Sequence, residues 1–165
     1  MPVKIIGALA IIASCTMLGF ELSSHLIKRV HILEVWQQVL QRMSGLIRHT
    51  KTPLYEMYEI FAAEKGEVGA FFSSLLKCGG ESTFESWKRN MNEMKWLSGA
   101  DAEILLNLAK GLGTGDLDTQ IKDIDFALDG ITSALHQAKE ISARDAKMYR
   151  SISFFAGVTV AILLI

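Results

Sequence analysis

The sequence predicts an all-α protein: two long antiparallel helices continue from terminal membrane segments and are capped by a bundle of about four short helices. Three observations predict this fold. Apolar residues recur at steps of three and four along most of the chain, which is the spacing of one helix face. Only two prolines occur in 165 residues, and alternating strand-like patterns are absent. The uncharged runs lie at the two ends and leave a charged middle.

The hydrophobic excess of this chain, which is 50 % hydrophobic, collects in two terminal segments. Residues 5–20 and 151–165 contain no charged side chain. A helix of about 16 residues rises roughly 24 Å, slightly less than a hydrocarbon core of ~30 Å. We therefore predict an N-terminal transmembrane helix over residues 3–22 and a C-terminal transmembrane segment over residues 151–165. The second segment is short enough that an interfacial position stays open.

Three other interpretations of the N-terminal run compete with a membrane helix. A cleavable signal peptide would end at a small-residue cleavage site. The segment from Ile12 to Cys15 resembles a lipobox, which would make Cys15 a lipidation site, but the apolar run continues to Phe20. If the N-terminal run were a soluble core helix, the second uncharged run at the C-terminal end would have to be a coincidence. The membrane helix therefore remains the preferred interpretation, and lipidation of Cys15 stays open.

The distribution of basic residues predicts the orientation. Before the first segment there is only Lys4, whereas the side facing the middle of the chain carries most of the cations near the segments: Lys28, Arg29, Arg42, Lys139, Arg144, Lys147 and Arg150. By the positive-inside rule, residues 23–150 form a cytoplasmic helical domain and both termini lie outside the cell.

The first long helix is predicted from residue 3 to about residue 49. No proline separates the membrane segment from an apolar stripe with helical steps. That stripe consists of Leu26, Val30, Leu33, Trp36, Leu40, Met43 and Ile47.

Caps and glycines predict the four short helices. Thr52 and Pro53 supply the N-cap and first residue of the second helix, which Lys65-Gly66-Glu67 ends. The third helix follows and stops at Gly79-Gly80. The capping-box spacing of Ser82 and Glu85 opens a fourth helix, expected to run through Trp96. Ser98 and Asp101 open the fifth.

The last helix is predicted to begin at Asp116 and to reach the end of the chain, about 50 residues or roughly 75 Å. Its apolar steps of four and three form a heptad seam that pairs with the first helix. The seam consists of Leu117, Ile121, Ile124, Leu128, Ile131, Leu135, Ala138 and Ile141.

No motif indicates catalysis, a metal or a cofactor. The four histidines lack the spacing of a helical metal clamp. The acidic cluster from Asp116 to Asp125 has Ile121 where a calcium loop needs glycine. The glycine-rich stretch 111–115 follows a helix and lacks the Gly-Lys-Ser/Thr of a phosphate loop, so we interpret it as a tight corner with positive φ. A net charge of −1 gives no basic field for nucleic acid.

In the order and spacing of its segments, the chain resembles the stage III sporulation protein AB family over essentially its whole length. The matching features are Gly19-Phe20-Glu21 at the end of the first segment, Thr52-Pro53-Leu54, and the close Tyr149-Arg150-Ser151 before Phe155-Ala156-Gly157. The corner also matches, with Leu112, Gly113, Asp116 and Gln120, although Gly115 is an additional glycine that leaves the turn geometry open.

The resemblance implies a non-enzymatic platform subunit in the mother-cell membrane around the forespore. Such a subunit is similar to the inner-membrane platform protein of type II secretion systems. It would bind the stage III AA ATPase and other stage III A channel proteins. We take the short helices at the tip and the corner of residues 111–120, with Leu112, Gly113, Asp116 and Gln120, as the candidate contact surfaces. Self-association into a homo-oligomer stays open. The alternatives are a membrane-anchored adaptor or sensor outside sporulation and a membrane enzyme with an unrecognised site.

Overall fold

The computed structural model describes the backbone of residues 2–78, 82–113 and 116–164. Within those ranges it describes all side chains from residue 24 to residue 145 and a few nearer the two ends. Within these ranges the chain forms six helices and no strand, which confirms the all-α prediction. The helices are α1 (Pro2–Thr50), α2 (Leu54–Ala62), α3 (Glu67–Lys77), α4 (Thr83–Met91), α5 (Gly99–Gly111) and α6 (Leu117–Leu164).

The helix boundaries follow the predicted caps with two corrections. Helix α2 has Pro53 as its N-cap, one residue later than predicted, and no side chain caps it. Helix α4 ends at Met91 instead of running through Trp96, because backbone bonds of 3.1 Å from Glu93 to Asn90 and from Met94 to Met91 close tight turns. The predicted stop at Gly79-Gly80 lies outside the described residues.

The two serine caps are confirmed. Ser82 accepts a hydrogen bond from the Glu85 backbone N–H at 3.3 Å and begins α4. Ser98 accepts from the Asp101 N–H at 3.2 Å, and the Asp101 carboxylate accepts from the Ser98 N–H at 3.0 Å. These bonds satisfy backbone donors that a helix start leaves without partners, so two capping signals in the sequence are sufficient to locate two helices.

The chain divides into two compact units, residues 1–30 with 137–165, and residues 31–136. In the first unit, the Ser24 hydroxyl donates to the Glu21 carbonyl at 2.8 Å and the Thr159 hydroxyl donates to the Phe155 carbonyl at 2.9 Å. The terminal segments predicted to span the membrane lie in this unit, and most of their side chains are outside the described residues. In the described part of the chain, no helix combines the length and apolarity needed to cross a membrane.

In the unit of residues 31–136, α1 and α6 run antiparallel. The Gln37 side-chain amide donates to the Thr132 hydroxyl at 2.9 Å. Seven residues later in α1 and seven earlier in α6, the Ser44 hydroxyl donates to the Asp125 carboxylate at 3.1 Å. Arg48, one turn further, forms an ion pair with Asp125. From one contact to the next, residue numbers rise along α1 and fall along α6, so the two helices are antiparallel.

The apolar stripes of this helix pair are buried in part as predicted. Leu33, Trp36, Leu40, Met43 and Ile47 of α1 are all at most 3 % exposed. On α6 the seam is buried at Ile124, Ile131, Leu135 and Ala138 but not at its two ends, because Leu117 is 42 % and Ile141 is 36 % exposed. The heptad pattern therefore predicted a longer buried seam than the structure has, since the first and last residues of the seam are exposed.

An aromatic cluster holds the short helices against α1. The Trp36 ring lies 5.4 Å from Phe71, 5.7 Å from Phe72 and 5.9 Å from Trp87 between centroids. Tyr58 and Phe61 of α2 pack on Phe72 at 5.5 and 5.2 Å. Such offset and edge-on pairs contribute beyond the area they bury. Residues from α1, α2, α3 and α4 thus meet in one core.

Inside this cluster the Trp87 indole N–H donates to the Tyr58 hydroxyl at 2.8 Å. Burial raises the pKa of Tyr58 to about 12, and the hydrogen bond from Trp87 lowers it in part. Because the folded pKa exceeds the ordinary value of 10.0, the unfolded chain loses this proton first as the pH rises.

We therefore expect the free energy of unfolding to be independent of Tyr58 ionisation below pH ~10 and to fall between about pH 10 and 12. In urea titrations at several pH values, the protein should lose roughly 2–3 kcal/mol more over this window than Tyr58→Phe, which lacks the ionisable hydroxyl. Equal losses in the two proteins would show that Tyr58 is not buried as described.

Candidate functional site

The candidate site is the corner between α5 and α6, residues 111–120, of which 114 and 115 lie outside the described residues. Helix α5 ends when the Leu112 N–H donates to the Leu108 carbonyl at 3.2 Å and the Leu112 backbone turns extended. The Leu112 side chain is 1 % exposed and anchors the corner in the core. Gly113 follows with φ +80°, a conformation that favours glycine. Positive φ was predicted for this stretch, and it occurs at Gly113.

The corner lies beside the starts of two other helices. A Cβ added at Gly113 would meet the Leu54 side chain at 3.6 Å and the Thr83 hydroxyl at 3.9 Å. Leu54 is the first residue of α2, and Thr83 is the first residue of α4. Three chain segments that are distant in sequence therefore form one local surface around Gly113.

Asp116 is the N-cap of α6. Hydrogen bonds lower the pKa of Asp116, first from the Thr119 side chain and then from backbone groups, including that of Thr119, while Lys122 adds a favourable charge. Thr119 is the third residue of α6, the position whose N–H a capping carboxylate usually accepts. The Gln120 N–H donates to the Asp116 carbonyl at 3.0 Å. Asp116 is exposed and Gln120 is half-buried.

Replacing Asp116 with alanine removes this cap and is expected to lower the melting temperature of the protein. Asp116→Asn retains a capping oxygen and should stay close to the unmodified protein. Asp118→Ala, which removes another exposed acid in the first turn of the same helix but not the N-cap, is the matched control. Thermal unfolding followed by circular dichroism measures all three, and equal melting of Asp116→Ala and Asp118→Ala would contradict the capping role.

The aspartates of the acidic cluster at the start of α6 make different contacts. Asp116 caps the helix, whereas Asp125 pairs with Arg48 and accepts from Ser44. Asp123 lies against Gly111, where an added Cβ would be 2.0 Å from its carboxylate. Among the described residues, no three His, Cys, Asp or Glu side chains converge to hold a metal ion.

Three of the grooves on the surface of the described residues lie near titratable side chains, and one of them is lined by Ser74 together with Glu67 and Glu93. The largest, of about 400 Å³, is lined by His31, Arg42 and Lys65 among others, and there Arg42 already pairs with Glu64. A second groove, of about 120 Å³, lies beside Phe71 and Asn90. The third, of about 110 Å³, lies between α5 and α6.

Sequence reasoning missed two features. One is the network of Arg48, Ser44 and Asp125, in which the Arg48 guanidinium also donates to the Ser44 hydroxyl at 3.2 Å. The other is Phe126, which is 78 % exposed on α6. Phe126 falls outside the heptad seam, but so does Ala127, which is 1 % exposed, so position relative to the seam could not have identified the exposure of Phe126.

Comparison with known proteins agrees with the resemblance noted in the sequence. The family model for stage III sporulation protein AB matches residues 4–165. The chain is 26 % identical over 169 aligned residues to stage III sporulation protein AB of Bacillus subtilis (strain 168), with 98 % of each chain covered. No solved structure matches. Because the family model spans nearly the whole sequence, the chain belongs to the stage III sporulation protein AB family and has a role in sporulation.

Proposed function

We propose that this protein is a non-enzymatic membrane platform subunit of the channel complex between mother cell and forespore. In this role it docks the stage III AA ATPase and contacts other stage III A channel proteins. The observation that carries the proposal is the corner, where the described backbone of Gly113 meets the starts of α2 and α4 and where Asp116 is exposed. This surface combines the exposed Asp116 with residues from the starts of three helices, which supports a role in contacting a partner.

The uncharged runs at residues 5–20 and 151–165 provide the membrane attachment in this proposal. Each run belongs to a long helix, α1 or α6, and both helices continue into the unit of residues 31–136. The basic residues that flank the runs on the inner side favour a two-pass arrangement with residues 23–150 in the cytoplasm. An ATPase bound at the corner would then be tethered to the membrane by two helices.

Co-purification tests the docking. A tagged full-length protein, solubilised in detergent from sporulating cells, is expected to recover the stage III AA ATPase, and deletion of residues 52–112 is expected to abolish the recovery. Because that deletion also removes aromatic partners of Trp36, point variants at the corner are the sharper test.

We expect Asp116→Ala and Gln120→Ala to reduce ATPase recovery severalfold. Ser133→Ala, an exposed change further along α6, should leave recovery unchanged. Melting temperatures measured in parallel separate lost contact from lost structure. Wild-type recovery by both corner variants would place the docking surface elsewhere, and absence of the ATPase from the unmodified sample would contradict the proposed function.

A further inference from the structure

Phe126 is more exposed than any other large apolar side chain described between His31 and His136. Its exposed fraction is 78 %, whereas Ile124 and Ala127 beside it in α6 are at most 1 % exposed. A single exposed phenylalanine is unremarkable on a protein surface, so its meaning depends on what surrounds it.

Phe126 forms one wall of the groove between α5 and α6. The groove has a volume of about 110 Å³ and is lined by Ile104, Asn107, Leu108, Asp123, Phe126 and Ala127. Its floor is apolar, since Leu108 and Ala127 are at most 2 % exposed. A volume of this size is comparable to that left by removing most of one large aliphatic side chain.

Close packing of α5 on α6 makes this groove a fixed feature. A Cβ added at Gly130 would lie 3.2 Å from two carbons of the Ile104 side chain. At the other end of the contact, Gly111 lies against the Asp123 carboxylate. The two helices thus approach at two glycines, one on each helix, and hold the groove open between them.

The rim of the groove is acidic. Asp123 lines it, Asp129 is exposed one turn beyond Phe126, and Glu103 is exposed one turn before Asn107 on α5. Lys110 donates to Asn107 at 2.9 Å and lies over the Phe84 ring, and Lys122 interacts with Asp116. Asp123 therefore lines an apolar depression, Glu103 and Asp129 are exposed one turn from its lining residues, and the nearby Lys110 and Lys122 already have other interactions.

We propose that this groove docks a basic segment of a partner protein, which inserts one aliphatic side chain beside Phe126 and places cationic side chains against Glu103, Asp123 and Asp129. A desolvated aromatic anchor supplies most of the affinity in such contacts, and complementary charge supplies orientation and selectivity. The inference is independent of the ATPase and goes beyond the proposed function, because it concerns the α5–α6 groove and the chemistry of its occupant.

The test uses the full-length protein in nanodiscs of neutral lipid and a fluorescent amphipathic helical peptide of leucine and lysine. Fluorescence anisotropy should show binding that weakens as NaCl rises. Phe126→Ser should weaken the binding about tenfold or more, and Asp129→Lys should weaken it as well. Tyr55→Ser, which alters another exposed aromatic side chain in the same unit, should bind as the unmodified protein does.

Three outcomes would overturn the inference. The first is absence of peptide binding, and the second is equal binding by Phe126→Ser or by a peptide with glutamate in place of lysine. The third is a dimer, measured by sedimentation, that Phe126→Ser dissociates, since the occupant would then be a second copy of this chain. Because Phe126 is exposed, its replacement is not expected to unfold the protein, and an unchanged melting temperature verifies this.

Discussion

Trp36→Ala is expected to lower the free energy of unfolding by about 3–5 kcal/mol, the range for truncating a buried aromatic side chain. Trp36 is fully buried and touches Phe71, Phe72 and Trp87, so its removal leaves a cavity between α1 and two short helices. A change of this size is a large part of the stability of an ordinary domain, and we expect partial unfolding at growth temperature.

Trp36→Phe is the matched control. The buried Trp36 indole N–H has no hydrogen-bond partner among the described residues, so phenylalanine removes an unsatisfied donor while keeping much of the ring. We expect a loss below about 1.5 kcal/mol. Urea unfolding of the detergent-solubilised protein, followed by circular dichroism, measures both variants. A loss below about 1 kcal/mol for Trp36→Ala would contradict the central position of this side chain.

Gly69→Ala is expected to destabilise the protein by at least about 3 kcal/mol, the upper part of the range for overpacking. An added Cβ would lie 1.7 Å from the Glu64 carbonyl oxygen and 2.7 Å from its carbon. These are backbone atoms, so no side-chain rotation relieves the clash, and the turn between α2 and α3 must move. The displaced turn would disturb Phe71 and Phe72, which follow in α3.

Gly45→Ala provides the opposite expectation in the same unit. Gly45 lies within α1, and an added Cβ there meets no atom within 4 Å. Alanine is the better helix former, so this change should stabilise the protein by about 0.5–1 kcal/mol. Opposite signs in the same urea titration are the predicted result. Stabilisation by both variants to a similar degree would show that helix propensity, and not the close approach at Glu64, decides the effect.

Much of the fold could be predicted because its signals are local. The absence of proline between residues 3 and 52 is sufficient to predict α1, and serine followed by an acid three residues later locates the starts of α4 and α5. The prediction of a helix end was wrong where the chain turns without a glycine or a proline. After Asn90, tight backbone turns end α4 in a stretch that carries no glycine or proline until Gly99, so the prediction ran on to Trp96.

Only the backbone conformation of the candidate site could be predicted from the sequence. Asp116 at the start of a helix, and a glycine needed for positive φ, follow from capping and turn chemistry. The close approach of Asp123 to Gly111, and that of Ile104 to Gly130, depend on how α5 packs on α6, which no local pattern reveals. For the same reason the exposure of Phe126 could not be predicted, since an aromatic residue between Asp125 and Ala127 is compatible with either face.

The proposed function requires that the two ends of the protein lie in the membrane and that the helical domain lies in the cytoplasm. Accessibility of single cysteines to a membrane-impermeant maleimide tests it most directly. In a background with Cys15→Ser and Cys78→Ser, single cysteines are introduced as Pro2→Cys, Leu164→Cys or Glu103→Cys. When the protein is expressed in vegetative cells, intact cells should be labelled at positions 2 and 164, and at position 103 only after permeabilisation. Labelling of position 103 in intact cells, or protection of either end until permeabilisation, would contradict the two-pass arrangement.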